Sequence, residues 1–152
     1  MRNKRWLTGL ASALLLTMVV GSPALGHDHD RCTLATLDGL YVFAATGFSI
    51  PTPTTSAPKA IIELIRFNGD GTLTVPAVTV SLNGNIPQVP AGGTGIYTVA
   101  DVIPGDEACS GTLVFASGTS FNLAFAHHAK TIYMIQTNQG NVFQGTATRL
   151  SH

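Results

Sequence analysis

From Gly39 onward the chain is written in short runs of β-branched and aromatic residues, divided by clusters of Gly, Asn, Asp and Pro. After Gly26 no segment sustains the roughly 3.6-residue apolar period of an amphipathic helix. Leu34 to Leu40 offers one helical turn at most. This alternation of strand and turn signals excludes helical bundles and alternating βαβ folds. It predicts strands near 39–47, 60–68, 71–80, 94–100, 108–116, 119–128, 130–137 and 141–149.

The connections carry their own chemistry. Asn68-Gly69-Asp70-Gly71, Ser117-Gly118-Thr119 and Asn138-Gln139-Gly140-Asn141 each separate two apolar runs. Such residues reach positive φ cheaply or bond their own backbone, so each predicts a tight hairpin. Sequential hairpins mean an antiparallel meander. Two stretches read as long surface loops, Ser49 to Pro58 (SIPTPTTSAP) and Asn83 to Gly95 (NGNIPQVPAGGTG). Long loops on a β-scaffold are where binding concentrates. Along each strand, alternate residues share a face. The faces mix small or hydroxyl residues with large ones, as in a small barrel filled by side chains, or a sandwich. The expected fold is a single antiparallel β-domain, with an eight-stranded barrel preferred because closure removes exposed edges.

The N-terminus is a separate unit. Arg2, Lys4 and Arg5 precede an apolar stretch from Trp6 to Val20, followed by GSPALG at 21–26. That order predicts a secretory signal peptide over residues 1–26, cut after Gly26 or, as a second choice, after Ala24. The remaining 27–152 suit one domain with one core. The signal contains three of the eight Lys and Arg residues, so five remain against eight Asp and Glu, a charge of about −3. With no basic run and no Arg/aromatic stripe, nucleic acid and anionic membrane surfaces are poor partners. No apolar run in 27–152 has membrane-spanning length. The two cysteines, Cys32 and Cys109, are expected to form a disulfide in an exported chain.

Candidate chemistry is sparse. Glu63 shares a strand face with Ile61, Ile65 and Phe67, while Arg66 lies on the opposite face. One of the two charges must point inward, and a buried carboxyl would titrate above its usual range. Tyr41 and Tyr133 are the polar aromatics best suited to sit beside Glu63, giving a candidate ligand set of Tyr41, Glu63 and Tyr133. Glu63 is the one weak candidate for acid–base catalysis. If the mature chain starts at His27, the sequence His27-Asp28-His29 can wrap Cu(II) or Ni(II) through its amine, amides and imidazole. His127 and His128 are neighbours on a strand, point to opposite faces, and fit a strand end. No nucleophile elbow, calcium loop or phosphate-binding Gly loop is present, and no cofactor is implied.

Several runs carry a resemblance. They are Leu37-Asp-Gly-Leu-Tyr-Val-Phe, Phe67-Asn-Gly-Asp-Gly-Thr-Leu-Thr-Val, Gly95-Ile-Tyr-Thr-Val, Cys109-Ser-Gly-Thr-Leu and the ending from Ile135 to Arg149. Together they are similar to a group of exported bacterial all-β proteins of unassigned function. The layout also resembles the small barrels of the allene oxide cyclase and dirigent type, which would imply a cavity for an apolar ligand. The expectation is an exported, non-catalytic barrel that binds a small apolar ligand or a surface partner. The alternatives are a cyclase- or isomerase-like enzyme using Glu63, and copper or nickel handling at the N-terminus.

Overall fold

The computed structural model describes residues 32–102, 108–126 and 128–150. The predicted signal peptide and its cleavage site lie outside them. Eight strands form one closed antiparallel barrel in a meander, each hydrogen-bonded to its sequence neighbours. They are β1 (Gly39–Thr52), β2 (Thr55–Phe67), β3 (Thr72–Leu82), β4 (Gly93–Asp101), β5 (Ala108–Phe115), β6 (Ser120–Ala126), β7 (Thr131–Gln136) and β8 (Asn141–Arg149). The barrel expectation holds, and the sandwich alternative does not. A 3₁₀ helix over Leu34–Leu37 precedes β1. Among the described residues, no helix is long and apolar enough to cross a membrane.

The tight turns form as their residues require. Gly118 sits at φ 85°, and Phe115 N–H donates across the turn to Thr119 O at 2.8 Å. A side chain there would be strained. At the β2–β3 turn the Asp70 carboxylate accepts from Thr72 N at 2.9 Å and from its hydroxyl at 2.7 Å. These bonds hold the Asp70 carboxyl below its usual range.

The seam that closes the barrel pairs β1 with β8, from Tyr41↔Arg149 to Ser49↔Asn141. Gly47 lies on this seam, opposite Phe143. A Cβ at Gly47 would stand 2.0 Å from the Val142 carbonyl oxygen, so only glycine fits there.

Ser49 to Pro58 is not the predicted loop. β1 and β2 continue as a hairpin as far as Thr52 and Thr55, with Phe48 paired to Pro58. The prolines sit where the ladder asks for no donor. Pro58 O accepts from Asn83 N at 2.8 Å, so its nitrogen faces the end of β3. Pro51 falls in the register shift between Ser49 and Thr52. The second predicted loop is real over 83–92, apart from a bridge between Leu82 and Asn85.

The core follows strand parity. Tyr41, Phe43, Ile65, Phe67, Leu113, Leu123, Ile132, Met134 and Phe143 all point inward and are buried. In an eight-stranded barrel the interior is just wide enough to be filled by side chains or to hold one small ligand. Both outcomes occur here, at opposite ends.

Candidate functional site

One end is plugged. The 3₁₀ helix lies there, with Leu37 fully buried. Thr33 N donates to the Thr36 hydroxyl, and Thr36 N donates to Thr33 O, each at 3.0 Å, which starts the turn. Tyr97 OH donates to Leu34 O at 3.0 Å. Arg149 donates through Nη2 to Thr36 O at 2.6 Å and through Nε to Tyr41 OH at 2.7 Å. Tyr41 OH in turn donates to Ala129 O at 2.9 Å. Phe67 packs edge-on between the Tyr41 and Tyr97 rings, at 5.3 and 5.0 Å. Cys32 and Cys109 lie at disulfide distance, with Cα atoms 5.9 Å apart across 77 positions of sequence. Cys32 N also donates to the Asp101 carboxylate at 2.8 Å.

The other end is open. β3 pairs with β4 only from Thr72↔Ile96 to Val75↔Gly93. β4 begins at Gly93, so β3 runs on past Val75 without it, and the chain before β4 is the 83–92 loop. A cavity of about 360 Å³ occupies this mouth. Its walls are apolar side chains: Phe43, Ile61, Val75, Val78, Phe121 and Phe143. Val89 and Pro90 of the loop and Ala116, Ser117 and Thr119 of the β5–β6 turn form its rim. Phe121 holds the floor together, packing against Phe43 at 5.6 Å and Phe115 at 6.1 Å.

Into this apolar chamber points Glu63, paired across the ladder with Phe43 and Val78. It is 6% exposed, and among the described residues its Oε1 has no hydrogen-bond partner. Burial pushes its carboxyl up to about 7, against the opposing pull of Lys59. Lys59 lines the same cavity two inward positions nearer the rim. Its Nζ donates to Gln136 Oε1 at 3.3 Å and stands 4.3 Å from the centre of the Phe143 ring. Partial burial lowers the Lys59 pKa, with Glu63 pulling the other way.

The three residues predicted to meet do not. Glu63 is on the cavity wall. Tyr41 belongs to the plugged end, where burial raises its phenol despite the bond from Arg149. Tyr133 faces outward and is 63% exposed. Its neighbours Ile132 and Met134 take the inward positions on β7, and parity leaves Tyr133 on the outer wall. Lys59 was missed, although its parity with Ile61 and Glu63 gives its side. The phenylalanine cluster was missed because its members come from four strands. Of the long loops, 83–92 reaches the cavity. His27, His29 and His127 lie outside the described residues, and His128 is exposed after β6 at φ 71°.

No family model, no curated protein and no solved structure matches this chain. The molecule defines itself only as a small closed barrel with one plugged end and one hollow end.

Proposed function

We propose that this barrel is a non-catalytic carrier or receptor for one small, mainly apolar molecule bound in its mouth. The carrying observation is the cavity of about 360 Å³, apolar on its walls and containing a buried carboxyl oxygen without a partner. Small-molecule sites are concave, mostly apolar and supplied with a few polar groups that fix orientation. A buried oxygen left without a partner is costly unless something else bonds it. The disulfide pair is compatible with an oxidising compartment, and we place the working protein outside the cytoplasm.

Native mass spectrometry of protein purified from its own host is expected to show a non-covalent small molecule. Val78→Trp, which fills the cavity from β3, is expected to lose that molecule and keep its strand circular dichroism. A bare polypeptide mass, together with no uptake of an apolar fluorescent dye, overturns the reading. N-terminal sequencing of the mature protein checks export, and an intact Met1 contradicts it.

A second reading is a proton-transfer enzyme of the isomerase kind. It draws on the Glu63 carboxyl, which titrates near the working pH of an acid–base group. In heavy water such an enzyme would place deuterium on carbon of the retained molecule. The carrier reading expects none.

A further inference from the structure

Among the described residues lining the mouth, two side chains carry charge, Glu63 and Lys59. The walls around Glu63 contribute Phe43 from β1, Val78 from β3, Phe121 from β6 and Phe143 from β8, none of them titratable. Glu63 Oε1 sits deep and lacks a partner among the described residues. Among the described residues Lys59 Nζ donates one hydrogen bond, to Gln136, and an ammonium carries three N–H groups. The chamber therefore offers one deep carboxyl and one cation nearer the rim, set in hydrocarbon.

We propose that the mouth binds a small apolar monocarboxylic acid, its carboxyl group seated between Glu63 and the Lys59 ammonium. This rests on the ligand-binding reading above and names the ligand class. Charge balance selects the acid. With Glu63 protonated, its O–H donates to the ligand carboxylate and Lys59 supplies the counter-charge, so no charge is left unpaired in the apolar chamber. With Glu63 ionised, Glu63 and Lys59 already balance, and an added carboxylate would face a second one. Binding above the Glu63 pKa must therefore take up one proton from solvent onto Glu63. An amine of the same length would pair with Glu63 but meet Lys59. An alcohol would satisfy Glu63 and leave Lys59 unused.

The test is calorimetric titration of the purified protein with octanoate, octan-1-ol and octylamine at pH 6 and pH 8. Octanoate is expected to bind tightest at pH 6 and to weaken by about tenfold per pH unit above the Glu63 transition. Glu63→Gln, whose amide can still donate, is expected to bind octanoate with the same affinity at both pH values. Lys59→Met is expected to lose octanoate and keep octan-1-ol. Octanoate that binds tighter at pH 8, or more weakly than octan-1-ol at pH 6, overturns the proposal and leaves the carrier reading standing. If none of the three probes binds at either pH, the carrier reading itself falls.

Discussion

At the plugged end, Tyr41, Tyr97 and Arg149 each bury polar atoms, and each has a named partner 2.6 to 3.0 Å away. At the mouth, Glu63 is also buried, and among the described residues its Oε1 has none. The strands are the same strands, a few residues further along. The difference lies in what was added: a 3₁₀ helix and a disulfide fill one opening, while at the other β3 outruns β4, which begins only at Gly93. Satisfied polar groups hold a fold together, and unsatisfied ones wait for something outside it. Stability and binding should therefore divide between the two ends.

The largest effect is expected at the plug. Replacing both Cys32 and Cys109 by Ala should cost about 4 kcal/mol in guanidinium unfolding, from the loop the bond closes. Ligand uptake by the fraction still folded should be unchanged. A loss of binding in that folded fraction would break the division.

Next comes the mouth carboxyl. The Glu63 pKa is raised from 4.5 to about 7 on folding, so the folded state holds its proton more tightly than the unfolded state. Stability is therefore highest below the unfolded value and falls as pH rises through the window between about 4.5 and about 7. The loss should reach about 3 kcal/mol, and Glu63→Gln should abolish it. Urea melts at pH 5 and pH 8 measure this, and an equal pH slope in the variant would contradict it.

Tyr41→Phe removes the hydroxyl that joins Arg149 to Ala129 and should cost about 2 kcal/mol. It should leave octanoate affinity unchanged, since Tyr41 serves the plug. Tyr133→Ser, on the outer wall, should change stability by about 0.5 kcal/mol or less and binding not at all. A large effect of Tyr133→Ser on ligand affinity would restore the site predicted from sequence.

Strand parity carried most of what the sequence revealed. It put Glu63 on one face with Ile61, Ile65 and Phe67 and Arg66 on the other, leaving open which of the two charges points inward. Read one step further, it puts Ile132 and Met134 inside and Tyr133 outside, and it puts Lys59 on the side of Glu63. Proline misled at 49–58, because what matters is which way its missing N–H faces, and that depends on register. The cavity was not legible. It arises where β3 and β4 stop pairing after Val75, a property of strand offsets around the whole wall. Tyr41 and Glu63 do share the inner face of the paired strands β1 and β2. Arg149, 108 positions away, claims the Tyr41 hydroxyl.

The β1–β8 seam has a kinetic side. Every other pairing joins strands adjacent in sequence, so each can zip from its own turn. The seam alone must bring the two far ends of the meander together, and it carries the largest loop-closure entropy. Until it shuts, the molecule is a curled ribbon with two bare margins, the state most prone to stick to its neighbours. Gly47 then acts as the clasp. Any side chain there should slow the final latching far more than it disturbs the hairpins, and pulse-labelling hydrogen exchange on Gly47→Ala would show the seam-facing amides of β1 and β8 protected last.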